Sequence, residues 1–165
     1  MKKQANGFLK RRGGIVLDVG SAIRDKEPST VRIGHRGDVG VDIAHDLSKT
    51  PYPLPDGCCL SILARNVVEH VERSNRGLIR TMDEWWRLLK PNGRLMISSL
   101  YGENYARDPG ACSPVTETAW MYFLPDHESK LWERYRPKPW KMIACSFNTA
   151  GTIEVVLQKI QGRLA

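Results

Sequence analysis

The feature that most constrains the fold is a pair of short apolar runs, each followed by a carboxylate. Gly14-Ile15-Val16-Leu17 leads to Asp18 and turns at Gly20, and Val39-Gly40-Val41 ends at Asp42. A parallel sheet that binds a nucleotide needs a strand followed by a tight glycine turn. It also needs an acid at the tip of the next strand, which accepts hydrogen bonds from ribose hydroxyls. The pair is common in isolation, so its meaning depends on the residues downstream.

The size and composition indicate one globular domain. The chain has 165 residues, of which 41% are hydrophobic and 26% are charged, enough for one buried core and too few for two ordinary domains. No apolar run approaches the roughly 20 residues that span a bilayer, and the N-terminal residues have no apolar core typical of a secretory signal. The four cysteines form no C-x-x-C pair. We therefore expect a reduced, cytoplasmic protein with no membrane association.

The net charge of +7 is concentrated at the N-terminus. Five basic residues precede the first acid, Asp18, and the rest of the chain has 20 basic and 18 acidic residues. Residues 1–12 are therefore predicted to be a flexible basic tail outside a single domain of residues 13–165. Such a tail weakly favours contact with a polyanion. Deleting it is expected to leave folding intact.

Alternating apolar and helical patterns predict an α/β fold. The expected strands are residues 15–19, 39–43, 60–64, 94–100, 140–147 and 152–160. Residues 21–38 show no helical stripe and are expected to be a loop, and three prolines exclude regular structure from residues 45–57. The short turn at residues 148–151 predicts that the last two strands pair antiparallel. The predicted fold is a Rossmann-like, mostly parallel sheet with helices on both faces, closing in an antiparallel C-terminal hairpin.

Residues 75–90 form the clearest predicted helix, because Leu78, Met82, Trp85 and Leu89 recur on one face. Core packing explains this stripe better than a ligand site. The segment 101–139 is predicted to be a substrate-side lid. Its aromatic and cationic residues suit either stacking on nucleic-acid bases or a helix at 114–124 packed on the sheet, and packing is favoured.

The ordered motifs resemble the small, compact group of class I S-adenosylmethionine-dependent methyltransferases. After the first glycine turn come Val41-Asp42-Ile43, His45-Asp46-Leu47 and Pro53-Leu54-Pro55-Asp56. Asn66-Val67-Val68-Glu69-His70 and Leu89-Lys90-Pro91-Asn92-Gly93 follow in the same order. The resemblance implies transfer of a methyl group from S-adenosylmethionine to an O or N acceptor.

The resemblance also implies a role for individual residues. Asp18, Gly20 and Ser21 would lie along the methionine part of the cofactor, and Asp42 would hold the ribose hydroxyls. Ile43 would pack on adenine, and Asp46 with Leu47 would meet the adenine edge. Asn66 would face the methionine end, with His70 near the transferred methyl group. Asn66 and His70 are accordingly the predicted catalytic residues.

Two departures keep a second function open. Ala22 replaces a glycine expected in the first loop, where a Cβ hinders close approach of the backbone. The Asp-Pro-x-His of related proteins is here Asp108-Pro109-Gly110-Ala111, without the histidine. The alternative is therefore a degenerate methyltransferase fold that serves as a binding or assembly subunit. A nicotinamide-dependent dehydrogenase is disfavoured because G-x-G-x-x-G is absent. The methyl acceptor, a small molecule or a nucleic acid, and the oligomeric state stay open.

Overall fold

The computed structural model describes residues 13–20, 29–35, 37–38, 40–71 and 74–161. Within them, seven strands form one sheet. They are β1 Ile15–Val19, β2 Thr30–Gly34, β3 Ile43–Ala44, β4 Cys59–Arg65, β5 Leu89–Leu100, β6 Trp140–Phe147 and β7 Thr152–Lys159. Their order across the sheet is β3-β2-β1-β4-β5-β7-β6. The basic tail, Ser21 and Ala22 lie outside the described residues.

The first five strands run parallel, and β7 pairs antiparallel with both β5 and β6. The predicted mostly parallel sheet with a closing antiparallel hairpin is thus confirmed. Parallel neighbours bring the carboxyl ends of β1 to β4 to one edge of the sheet, so loops after these strands converge there.

Three α-helices lie in the described part of the chain, α1 Gly77–Leu88, α2 Glu103–Arg107 and α3 Glu117–Met121. Short 3-10 turns occupy Val68–His70, Ser74–Arg76 and Leu131–Arg134. The predicted helix at residues 75–90 corresponds to α1 and the turn before it. Met82, Trp85 and Leu88 of its apolar face are fully buried, which confirms that the stripe serves core packing.

The prediction for residues 21–43 was wrong in two places. Residues 30–34 form strand β2 rather than part of a loop, and among the described residues of the predicted strand at 39–43 only Ile43 lies in a strand, at the start of β3. The charge of Arg32 explains why β2 was not predicted, since a charged residue in the middle of an apolar run suggests a solvent-exposed segment. In the fold Arg32 is buried beside Asp18 of β1, with 3.1 Å between its Nε and the Oδ2 of Asp18.

The segment between β5 and β6 is packed on the rest of the domain. Trp120 and Phe123 are fully buried in the core. The Nε1–H of Trp86 in α1 donates to the carbonyl of Pro139 at 3.0 Å, and the Lys138 amide donates to Asp83 at 2.8 Å. The helix predicted at residues 114–124 corresponds to the shorter α3, Glu117–Met121. Burial of Trp120 confirms the packing interpretation for this helix.

A membrane-spanning helix is not found among the described residues, because none of their helices is both long and apolar enough.

Candidate functional site

A cavity of 640 Å³ lies at the carboxyl ends of the parallel strands. It is lined by residues that follow four neighbouring strands, namely Gly20 after β1, His35 and Asp38 after β2, Asp46 and Leu47 after β3, and Asn66, Val67 and His70 after β4. Gly77, Arg80 and Thr81 of α1 complete part of the wall. This is the edge at which open α/β sheets bind ligands.

Gly20 marks the closest approach of backbone to the cavity. Its φ is +65°, and its amide donates to the carbonyl of Ile33 at 2.9 Å. A Cβ at this position would lie 2.9 Å from Val67 and 3.2 Å from Leu47. Any larger residue would therefore be strained and would push the two apolar walls apart.

The tip of β2 carries a carboxylate that sequence reasoning missed. Asp38 Oδ2 accepts a hydrogen bond from the His35 amide at 2.9 Å, and the Asp38 amide donates back to the His35 carbonyl at 3.2 Å. Asp38 therefore turns back to the end of β2 and lies in the cavity wall. An acid a few residues past a correctly placed β2 would have been the signal for it.

Asp42, predicted to hold the ribose hydroxyls, lies along β2 instead of lining the cavity. Its Oδ2 accepts from the Arg32 amide at 2.8 Å, and its own amide donates to the Arg32 carbonyl at 3.0 Å. Asp18 is buried in its ion pair with Arg32, and Ile43 is buried in the core. These three predicted site residues are thus not among those that line the cavity.

Asp46 stands at the end of β3 with its carboxylate held by the following turn. Its Oδ1 accepts from the hydroxyl of Ser48 at 2.7 Å and from the Ser48 amide at 3.1 Å, and its Oδ2 lies 3.1 Å from Nζ of Lys49. The hydrogen bond from the Ser48 side chain, followed by that from Lys49, holds the pKa of Asp46 well below its usual range. Asp46 therefore presents a permanent negative charge at the cavity wall.

The wall after β4 holds both predicted catalytic residues. Asn66 adopts a left-handed φ of +50°, which asparagine tolerates better than most residues. Its backbone amide donates to the carbonyl of Ser98 at 2.8 Å. Nδ1 of His70 lies 3.0 Å from the carbonyl of Gly110, and Nε2 lies 3.7 Å from Oδ2 of Asp108. A carbonyl only accepts, so Nδ1 is assigned as protonated and donates to it.

Glu69, between these two residues, is a buried structural link. Its Oε2 accepts from the Ser99 hydroxyl at 3.1 Å, and its Oε1 accepts from the Leu100 amide at 3.3 Å. Its backbone carbonyl accepts from the amides of Cys112 and Ser113 at 2.9 and 3.0 Å. Glu69 thus joins the tips of β4 and β5 to the start of the 112–139 segment.

Arg87 of α1 fixes the proline-rich loop that forms another part of the wall. Its guanidinium donates to the carbonyls of Leu54 and Tyr52 at 3.0 and 3.3 Å and pairs with Glu84. Glu84 in turn accepts from the Tyr52 amide at 2.6 Å. These contacts place Tyr52 at the cavity without regular secondary structure in the loop.

The architecture is similar to that of proteins of known structure. No family model and no curated protein matches the chain. Solved structures do match, among them a mutant of the 16S rRNA (adenine(1408)-N(1))-methyltransferase from Catenulisporales acidiphilia. It is 13% identical, the match covers 99% of this chain and 93% of that one, and the TM-score is 0.59. The chain has the class I methyltransferase fold.

Two further methyltransferases support the assignment of the fold. The N-methyltransferase NodS from Bradyrhizobium japonicum is 13% identical, with 97% of this chain and 94% of that one covered and a TM-score of 0.58. The antibiotic-resistance methyltransferase Kmr is 16% identical, with the same coverage and a TM-score of 0.56. In this chain the 640 Å³ cavity lies at the carboxyl edge of the parallel strands of that fold.

Proposed function

We propose that the protein is an S-adenosylmethionine-dependent methyltransferase acting on an O or N acceptor. The observation that carries the proposal is the cavity at the tips of β1 to β4, whose wall includes the glycine turn at Gly20 and the carboxylates of Asp38 and Asp46. A similar structure, 13% identical with a TM-score of 0.60, is of the Catenulisporales enzyme with its cosubstrate SAM.

The cavity residues suit this cofactor in size and chemistry. Its 640 Å³ falls within the roughly 300–1,000 Å³ of small-molecule sites. Asp38 would accept hydrogen bonds from the ribose hydroxyls, and Asp46 and Leu47 would meet the adenine edge. Asp18, which does not line the cavity, has no part in this arrangement.

The residues after β4 would handle the acceptor. When bound, S-adenosylmethionine supplies an electrophilic methyl group on a sulfonium centre. The wall at Asn66 and Val67 would hold the acceptor in line with it and exclude water, and such positioning can supply much of the rate. With Nδ1 donating to Gly110, neutral His70 has its lone pair on Nε2 and can take the proton that the acceptor loses. Asp108 would stabilise the resulting imidazolium.

The alternative is a methyltransferase fold that binds or assembles without catalysis. Its support is the buried Asp18–Arg32 ion pair, which occupies an acid that the family resemblance assigns to the cofactor. Calorimetric titration separates the two functions. An active enzyme binds S-adenosylmethionine or S-adenosylhomocysteine, whereas absence of binding at millimolar concentration favours the scaffold.

A matched pair of variants tests which carboxylate binds the ribose. We expect Asp38→Asn to weaken S-adenosylmethionine binding about tenfold, because it removes charge-assisted hydrogen bonds and keeps the side-chain shape. Asp42→Asn still accepts from the Arg32 amide and should bind like the unmodified protein. The opposite result, with only Asp42→Asn impaired, would return the ribose role to Asp42.

A further inference from the structure

A cluster of cations and tyrosines lies beside the cavity and shares only Arg80 with the described cavity lining. Tyr135 is 38% exposed, and the guanidinium carbons of Arg76 and Arg134 lie 5.5 and 5.4 Å from the centre of its ring. The ring of Tyr122 lies 5.6 Å away at 39°. We refer to Arg76, Arg80, Arg134 and Tyr135 as the stacking surface.

Within the described part of the chain, the arginines of the stacking surface have no ion-pair partner. Arg76, Arg80 and Arg134 are exposed, and none has a carboxylate within ion-pair distance in the described part of the chain. Arg87 on the same helix, in contrast, is paired with Glu84 and Asp56. Uncompensated guanidinium groups beside an exposed ring favour an anionic ligand with flat faces.

A second, smaller groove of 230 Å³ adjoins the stacking surface. Its lining includes Arg76 and Tyr135. Apolar side chains line the rest of its wall, namely Leu78, Ile79, Pro114 and Ala119. The first turn of α1 separates this groove from the cavity, because Arg76 and Leu78 line the groove while Gly77 and Arg80 line the cavity. A ligand crossing this turn would contact both sites.

We infer that the methyl acceptor is a single-stranded nucleic acid bound across the first turn of α1. One base would lie in the groove against Tyr135, phosphates would contact Arg76, Arg80 and Arg134, and a neighbouring nucleotide would reach the cavity. A repeating polymer of flat bases and anionic phosphates matches alternating aromatic and guanidinium groups. This inference rests on the proposed methyl transfer, whose acceptor class it names.

Fluorescence anisotropy with a labelled 12-nucleotide single-stranded RNA tests the inference, with DNA of the same sequence and an RNA duplex as further probes. We expect tighter binding to single strands than to the duplex, with affinity falling as salt rises from 50 to 200 mM. Tyr135→Ala should weaken single-strand binding about tenfold, as loss of one stacked base does. Arg134→Ala should weaken single-strand binding. It should also lower the slope of log affinity against log salt concentration by about one.

Arg94→Ala is the matched control, since Arg94 is an exposed arginine of β5 that pairs with the amino-terminal part of β4, away from the cavity edge. It should bind single strands nearly as well as the unmodified protein. If Tyr135→Ala unfolds the chain, Arg134→Glu, changed at an exposed position, replaces it. Equal affinity of the surface variants and the control, or equal affinity for duplex and single strand, overturns the inference.

Calorimetry on the same variants separates this inference from the proposed function. Surface variants should keep their affinity for S-adenosylmethionine while losing RNA affinity. Cofactor binding without RNA binding would overturn the nucleic-acid inference alone. RNA binding that depends on Tyr135, without cofactor binding, would support the surface and overturn methyl transfer.

Discussion

At the scale of the residue, the four carboxylates all have partners within the fold and differ in whether they line the cavity. Asp42 is used by the backbone of β2 and Asp18 by Arg32, whereas Asp38 and Asp46 stand at strand tips in the cavity wall. The sequence motifs assigned Asp42 and Asp18 to the cofactor site together with Asp46. Only the tertiary structure, which a single sequence does not display, distinguishes acids that line the cavity from acids that do not.

The strongest chemical prediction at this scale concerns His70. His70→Ala should lower kcat about a hundredfold or more and leave cofactor affinity unchanged, because the ring would act on the proton of the acceptor. Single-turnover kinetics and calorimetry measure the two quantities. His127→Ala is the control, since the ring of His127 bonds only to nearby Ser129 among the described residues. A parallel loss of cofactor affinity and thermal stability in His70→Ala would assign the histidine to the fold.

At the scale of the element, strand β2 depends on a charge pair for its burial. Arg32 is 1% exposed and lies opposite Asp18 in the parallel register of β1 and β2. The sequence predicted β1 because its run is apolar, and it missed β2 because hydrophobic periodicity scores a buried arginine as surface. An ion pair between neighbouring strands thus replaces apolar packing at this position.

This pairing predicts strongly coupled stabilities. Arg32→Met should destabilise the domain by about 3–5 kcal/mol because it leaves Asp18 buried without its cation. The double variant Asp18→Leu with Arg32→Met should recover much of that loss, since the uncompensated charge is gone. Urea unfolding of the two single variants and the double variant measures the coupling. Additive losses would show that the pair does not determine the stability of β2.

At the scale of the whole molecule, the elements with strong local patterns were predictable. Strands β1, β4 and β5, helix α1 and the closing hairpin were placed from periodicity and turn residues, and Gly20, Asp46, Leu47, Asn66 and His70 of the predicted site do line one cavity. Asp38 was missed because its place depends on where β2 ends. Base stacking by residues of segment 101–139 was a less favoured alternative, and the contact of Tyr135 with Arg76 was not foreseen because the two are distant in sequence and meet only in the fold.

The sheet order makes the chain end essential to the whole domain. Strand β7 is the last in sequence yet lies between β5 and β6, with Ile153, Val155 and Leu157 fully buried. A chain that stops at Phe147 should therefore fail to fold, because β5 loses its neighbour and β6 has no partner. Circular dichroism and thermal unfolding measure this. A chain that ends at Gln161 keeps every described strand and should unfold cooperatively, and cooperative unfolding of the shorter chain would refute the prediction.

The buried link at Glu69 has a consequence for how such a domain diversifies. Its carbonyl accepts from the amides of Cys112 and Ser113, so the join depends on main-chain atoms and excludes proline at those two positions. The segment that follows can change its side chains, and with them its choice of partner, while its starting point stays anchored to the sheet. Proteins that share this fold could exchange surfaces in this way while the edge of the sheet stays unchanged.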